Sequence, residues 1–395
     1  MWCAGAARRR RTTSSKGIAG VSSSFGVAAL SSPFPASLAL AERFEYEGVS
    51  YQHPAFDTLV YNKAGERLRK AAPLPVDFYV VDNWRSSHAY PLVIFRQTLS
   101  RRAHKVDQGV LIAQRIKRLS SIALKLNRFR NLRLTTIQDI GGCRAILSSR
   151  RKAKALYDNY LSGYLEHDLL WYKDYVDTPK DTGYRSYHLI YAYRGIGSKL
   201  VYNDLRIEIQ IRSRLQHAWA TAVETVDIFT SQALKSSMGR PEWDHFFRLM
   251  ASYIALRERT PLVPGTPTKK SELFDCIREC EEKLLVVKHL QGFRHVTERF
   301  DNEAAFAHET KPSYFVLEVR PSESLVVVDP FKGEDLEQAQ KAYLNAEQQI
   351  LEHQARNDAV LVSVEKLASL RKAFPNYYGD TEVFLGILRD ALHRR

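Results

Sequence analysis

The sequence predicts an α+β protein, and three observations carry that expectation. Ile207-Glu208-Ile209-Gln210-Ile211-Arg212 alternates apolar and polar residues with the period of two that marks a strand. Residues 109–130 place Ile112, Ile116, Leu119, Ala123 and Leu126 at spacings of four, three, four and three, which predicts an amphipathic helix. The chain has 395 residues, 45% of them hydrophobic and 26% charged, enough for about two domains with real cores.

Along the chain, the first 41 residues differ from the rest. Arg8 to Arg11 form a basic cluster, and no acid precedes Glu42. Ala39-Leu40-Ala41 mimics a cleavage site, yet Ser22-Ser23-Ser24, Ser31-Ser32 and two prolines break the would-be apolar segment. A disordered extension or a start codon assigned too early is therefore expected for 1–41, and globular text follows. Asn83-Trp84-Arg85-Ser86-Ser87-His88 leads into a helical pattern at 90–99. The other faces of the 109–130 segment carry Arg115, Lys117, Arg118, Lys125 and Arg128. From Arg101 to Arg133 there are ten Lys/Arg and one acid, Asp107, a run that suits either a solvated basic face or a bound anion.

Asp139-Ile140-Gly141-Gly142-Cys143-Arg144-Ala145-Ile146-Leu147 then reads as a strand opened by an acid and two glycines, where backbone can approach closely. Residues 152–165 suit a helix. Asp181-Thr182-Gly183-Tyr184-Arg185-Ser186-Tyr187-His188 is a turn running into a strand at 189–193. Ten of the 20 tyrosines fall between Tyr157 and Tyr202, as base-stacking surfaces or simply as strand residues. In the isoleucine-rich strand, Glu208, Gln210 and Arg212 share one face, a row that fits a metal–phosphate site or a solvated polar edge. A helix opens after Leu215.

Three prolines and a glycine at 260–271 predict a linker between domains 42–265 and 266–395. Beyond it, helices at 271–290 and 336–354, strands at 314–319, 324–328 and 360–364, and two short closing helices suggest a smaller α/β domain. Cys276, Cys280, His289 and His295 invite a zinc reading, but the cysteines sit at i, i+4 in a helix, so core cysteines are expected.

Charge and cysteine count narrow the function classes. Four cysteines fit a reducing, cytoplasmic compartment rather than a disulfide scaffold. No apolar run reaches the roughly 20 residues of a membrane helix, so no membrane partner is expected. The net charge is +14, with 18 basic and 22 acidic residues after Gly265 and the surplus before it. That split favours polyanionic partners for the front and an electrostatic attraction between the two parts.

Arg115-x-Lys117-x-x-x-Ser121-Ile122-x-x-Lys125, Asp139-Ile-Gly-Gly-Cys-Arg144, Gly183-Tyr184-Arg185-Ser186-x-His188, Glu208-Ile-Gln-Ile-Arg212 and Gln216-His217-Ala218-Trp219 occur in that order. This series resembles the RelA/SpoT synthetase domain, the pyrophosphokinase of alarmone metabolism. The resemblance implies a mixed, mainly antiparallel sheet flanked by helices, nucleotidyltransferase-like in type. It implies Mg2+ at Asp139 and Glu208, with Glu208 as acceptor of the attacking hydroxyl's proton. It assigns Arg115, Lys117, Ser121 and Lys125 to the ATP phosphates and Arg144 to the adenine. It places Tyr184, Lys180 and His188, with Gln210 and Arg212, on the acceptor side.

Asn62-Lys63-Ala64-Gly65, the 83–88 stretch, 218–226 and Phe374-Pro375-Asn376-Tyr377-Tyr378-Gly379-Asp380-Thr381 are similar to toxic small alarmone synthetases. That branch includes CapRel-type fused toxin–antitoxin phage-defence proteins. It implies the 3′-CCA end of tRNA as acceptor instead of GDP or GTP, the C-terminal domain as an inhibitor, and a phage protein as trigger. A Tyr-x-x-Tyr associated with the blocking segment is missing from the C-terminal half. Two other classes are open to such a chain: a non-catalytic RNA-binding or sensor protein, and an alarmone hydrolase, suggested by His167-Asp168, for whose domain too few residues precede Arg115.

Overall fold

The period-two segments assemble into one eight-stranded sheet. The computed structural model describes residues 42–70, 72–233, 240–296, 313–320, 325–352, 357–364 and 381–394. A short hairpin, β1 (Arg43–Tyr46) and β2 (Val49–Gln52), comes first, its turn made by Glu47 and Gly48 with φ of 51° and 76°. The sheet strands are β3 (Leu111–Ile116), β4 (Gly141–Leu147), β5 (Asp168–Asp174), β6 (Tyr187–Ala192), β7 (Arg206–Ser213), β8 (Ser313–Arg320), β9 (Leu325–Phe331) and β10 (Asp358–Val364). Their order is β5-β6-β7-β4-β3-β10-β8-β9, antiparallel throughout except for the β4–β7 pair. This is the mixed, mainly antiparallel sheet expected. Pro330 lies in the edge strand β9, where a missing N–H is tolerated.

One face of the sheet is covered by α3 (Ala89–Val106), α5 (Arg150–Ser162) and α10 (Leu336–Glu352). Ile207, Ile209 and Ile211 point to that side and are fully buried, each worth about 1.5–3 kcal/mol of burial. A second cluster joins α1 (Thr58–Arg69), α2 (Pro75–Ser87) and α4 (Leu119–Arg128) around Leu126, Leu134 and Ile140. A third is helical: α6 (Arg214–Ala233), α7 (Arg240–Glu258), α8 (Lys270–Leu284), α9 (Val286–Val296) and α11 (Glu382–Leu392).

Three expectations change. The helix at 109–130 is a strand, β3, followed by the shorter helix α4. Ile112 and Ile116 are four apart, a spacing that fits one turn of helix and also one face of a strand, and pairing with β4 and β10 decides for the strand. The helix at 271–290 is two, interrupted at Leu285, whose φ of 47° is left-handed.

The expected linker is a packed segment. Val263 is buried in the helical cluster, and Arg185 and Arg248 donate to the carbonyls of Pro261 and Pro264. No break in the fold appears at residue 265. Strands β8, β9 and β10 extend the sheet that β3–β7 begin, with Val362 opposite Arg115, and the chain from Ala41 onward is one compact unit. The C-terminal α/β expectation holds for its element types, but those strands belong to the common sheet. Of the two short closing helices one is α11; the other, and most of the 374–381 motif, lie outside the described residues. Among the described residues no helix is long and apolar enough to cross a membrane.

Candidate functional site

With the isoleucines turned toward α3 and α5, the alternate residues of β3, β4, β6 and β7 share the opposite face. Register aligns them in rows: Arg115, Gly142, Glu208 and Ile190 are cross-strand neighbours, and so are Ala113, Arg144, Gln210 and His188. Gly142 interrupts the first row with no side chain, and the cleft that opens there is lined by Arg115 and Glu208 on either side of it. Asp139, Arg144 and Gln210 also line it. The second glycine works differently: Gly141 faces the helices, where a Cβ would come within 2.7 Å of Ile207 Cδ1.

Asp139 sits at the mouth of β4. Its carboxylate accepts Lys117 Nζ at 2.9 Å and Lys125 Nζ at 2.8 Å, one lysine from the turn after β3 and the other from α4. Burial favours the neutral acid, but the two ammonium groups outweigh it and hold Asp139 below the usual carboxylate range. For Lys117 the balance goes the other way: burial exceeds the help from Asp139, and its pKa is lowered. Ser121 lies one helical turn before Lys125 in α4.

Glu208 is held by polar partners on both oxygens. His188 Nδ1 lies 2.8 Å from Oε1, and Gln210 Nε2 donates to Oε2 at 2.7 Å. Burial opposes ionisation here too, but His188, Gln210 and the nearby Lys125 keep the carboxyl ionised below its ordinary range. Asp139 and Glu208 also act on each other electrostatically.

The row continues toward Tyr184 and Arg212. His188 Nε2 lies 2.8 Å from the Tyr184 hydroxyl, and Arg212 donates to that hydroxyl at 2.6 Å and to Gln210 Oε1 at 3.0 Å. Arg212 and Lys180 each lie 5.0 Å from the Tyr184 ring centre. Arg212 is only 2% exposed, and its Nε and second terminal nitrogen find no acceptor among the described residues, so an anion there would meet unsatisfied donors. Arg144 donates to Gln210 Oε1 at 3.3 Å; burial first, then the Arg212 charge, lowers its pKa to about 9. Two guanidinium groups crowded in this way favour a polyanion against them.

Tyr184 owes its position to Gly183. That residue has φ +92°, and a Cβ would lie 2.5 Å from Ala251 of α7, so the turn requires glycine on both counts. The next residue, Arg185, is buried and bonded to the Val176 and Pro261 carbonyls, which fixes the turn against the helical cluster.

Of the residues expected at the site, Arg115, Asp139, Arg144, Glu208 and Gln210 line one cleft. Lys117 and Lys125 join it through Asp139, and Tyr184, His188 and Arg212 through hydrogen bonds to Glu208 and Gln210. Lys180 joins through the tyrosine ring; Ser121 stands on α4 and is not among the residues that line the cleft. Tyr175 was missed: its ring lies 4.6 Å from Lys180 Nζ and edge-on to Tyr184 and His188. Only the tyrosine-rich composition of this region hinted at it.

Cys276 and Cys280 pack against the helical cluster. Among the described residues no three His, Cys, Asp or Glu side chains are grouped to hold a metal. Mg2+ asks for less, one or two carboxylates plus phosphate oxygens, and Asp139 and Glu208 are the two carboxylates that line this cleft.

Residues 114–228 match the family described as a region found in RelA/SpoT proteins, a span that contains every expected site residue. No curated protein matches the chain in sequence. Among solved structures it is similar to small alarmone synthetase 1 from Bacillus subtilis bound to its product pppGpp, at 19% identity and a TM-score of 0.36, over 45% of this chain and 89% of that one. For small alarmone synthetase 2 from Bacillus subtilis the figures are 24%, 0.35, 43% and 89%. For a GTP pyrophosphokinase family protein from Streptococcus pneumoniae they are 20%, 0.36, 44% and 86%.

Proposed function

We propose, starting from the match of residues 114–228 to a region found in RelA/SpoT proteins, that the chain is an ATP pyrophosphokinase of that type and that the cleft transfers pyrophosphate to the 3′-CCA end of tRNA. The observation that carries the transfer is one cleft lined by Arg115, Asp139, Glu208 and Gln210, with hydrogen bonds leading on from Glu208 and Gln210 to His188, Arg212 and Tyr184. It offers a phosphate side and an acceptor side with carboxylates between them.

Arg115, Lys117 and Lys125 bind the ATP phosphates, with Ser121 on the same helix, and Arg144 lies against the adenine as a planar cation. Tyr184 stacks on the acceptor base, flanked by Lys180 and Arg212. Glu208, kept ionised, accepts the proton of the 3′-hydroxyl as its oxygen bonds to the β-phosphorus and AMP leaves. His188 fixes the Glu208 carboxylate, and the Tyr184 hydroxyl fixes His188. Asp139 and Glu208 would hold Mg2+, whose charge offsets that building on the transferred phosphates.

The tRNA acceptor is favoured by the surface around the cleft. Arg128, Arg130 and Arg133 are exposed at and beyond the end of α4, beside Phe129 at 50% exposure, and Arg128 acts electrostatically on Lys180. Exposed guanidiniums with an aromatic suit an RNA strand better than a compact nucleotide. A tRNA with a pyrophosphate on its 3′-oxygen has lost that hydroxyl for carrying an amino acid, so the activity inhibits translation.

Incubating the protein with terminally labelled ATP and either deacylated tRNA or GDP decides the acceptor. Label is expected on tRNA. Label found in guanine nucleotide alone makes the chain a (p)ppGpp synthetase instead. Glu208→Gln is expected to lower the transfer by about 10²–10⁴-fold, the usual worth of a positioned acid–base group. Transfer unaffected by both Glu208→Gln and Asp139→Asn removes the assigned chemistry.

A further inference from the structure

The cleft is lined by residues between Ala113 and Gln210, yet the backbone that carries its ATP-side cations is braced from far along the chain. Glu347 of α10 is 5% exposed. Its Oε1 accepts the Leu119 amide at 2.7 Å and the Tyr343 hydroxyl at 2.8 Å. Its Oε2 forms an ion pair with Arg85 of α2 at 2.7 Å. Arg85 is 1% exposed, lies 4.8 Å from the Tyr343 ring centre, and donates through Nε to the Lys117 carbonyl at 3.1 Å. A second carboxylate, Asp82, stands 3.5 Å from Arg85.

The two protein-backbone groups held by this pair, the Lys117 carbonyl and the Leu119 amide, lie on either side of Arg118, where the chain turns from β3 into α4. That turn sets Lys117 and Lys125 against Asp139. Helix α4 receives no side-chain cap from its own N-cap residue, Arg118, so a carboxylate 228 positions downstream supplies an acceptor for its first amide. The same C-terminal stretch adds β10 alongside β3, with Val362 opposite Arg115.

We propose that Arg85 and Glu347 are positioning residues for ATP: a buried pair from α2 and α10 that fixes the Lys117–Leu119 backbone and makes ATP affinity depend on the C-terminal segment. This rests on the assignment of Arg115, Lys117 and Lys125 to the ATP phosphates. It gives the C-terminal segment a supporting role at the ATP side, beside the blocking role that the resemblance implies.

The test uses the full chain and a non-hydrolysable ATP analogue, measured by calorimetry, beside KM for ATP, KM for the acceptor and kcat. Glu347→Gln keeps the shape and an oxygen for Leu119 but removes the charge that Arg85 pairs with. It is expected to weaken analogue binding and raise KM for ATP by about tenfold or more, leaving acceptor KM within about twofold. Tyr343→Phe removes one hydrogen bond to Glu347 and preserves packing, so it covers the case in which Glu347→Gln fails to fold; it is expected to shift the same two quantities about two- to fivefold. If the wild type binds the analogue and folded variants bind it equally well, the positioning role is overturned and the ATP assignment stands. Equal effects on ATP and acceptor also overturn it, since they mark a general loss of structure. A wild type that binds no analogue overturns the ATP assignment, and the positioning role with it.

Discussion

Gly142→Val separates the cleft from the fold that carries it. Gly142 is a central-strand residue between Glu208 and Arg115, and the nearest atom to a Cβ built there is the Glu208 carbonyl oxygen at 3.9 Å, ordinary contact. Valine therefore fits the backbone, and relief from the entropy of glycine in a strand favours the variant by about 0.5–1 kcal/mol. Its two methyls occupy the floor where the ATP phosphates are proposed to lie. A displacement of about 1 Å at reacting atoms costs on the order of 10²-fold, or about 2.7 kcal/mol in the barrier. Transfer of label from ATP to the acceptor is thus expected to fall at least about a hundredfold, while the denaturant midpoint stays level or rises. Gly141→Ala is the control, because its Cβ would lie 2.7 Å from Ile207 Cδ1. It is expected to lower stability by about 1–3 kcal/mol. Wild-type kcat/KM in a folded Gly142→Val protein would refute the placement of ATP on this floor.

Two further outcomes follow from other parts of the structure. Tyr184→Ala is expected to raise KM for the acceptor about 5- to 100-fold through the loss of one stacked base, with KM for ATP little changed; a shift confined to ATP places the acceptor elsewhere. Asp107 is buried, which favours its neutral form, but it accepts the Ser148 and Gly109 amides at 2.7 and 3.3 Å and Lys152 Nζ at 2.9 Å, and these hold its pKa well below normal. A depressed carboxyl contributes stability above its unfolded pKa of about 3.9 and loses it as pH falls through the lower folded value. Asp107→Asn is expected to cost about 2–3 kcal/mol at pH 7, with the gap to wild type closing below about pH 4; a gap equally wide at pH 3 counts against this reading.

Much of the site was legible because its residues are consecutive or alternate on single strands. Glu208, Gln210 and Arg212 share a face by the period of β7 alone, whatever the neighbours are. The glycine pair before Cys143 announced close approach, but which glycine serves the cleft and which the core depends on the side of the sheet that α3 covers. The 109–130 segment was misread because a spacing of four between isoleucines satisfies helix and strand alike. Its strand exists because β4 and β10 lie on either side of it, one of them nearly 250 residues away in sequence. The proline-rich 260–271 stretch looks like a linker from composition, and its carbonyls instead accept from the buried Arg185 and from Arg248, whose distance in sequence hides the contact.

By itself, then, the sequence determined the α+β class, the strand faces and the identity of the charged residues, since these follow from local periodicity and side-chain chemistry. Tertiary structure decided which strand lies beside which, and so that Arg115, Gly142 and Glu208 form one row. It also decided that the C-terminal strands and Glu347 belong to the same body as the cleft. The physical reason is that β-pairing and buried ion pairs join residues far apart in the chain, and no local pattern records those partners.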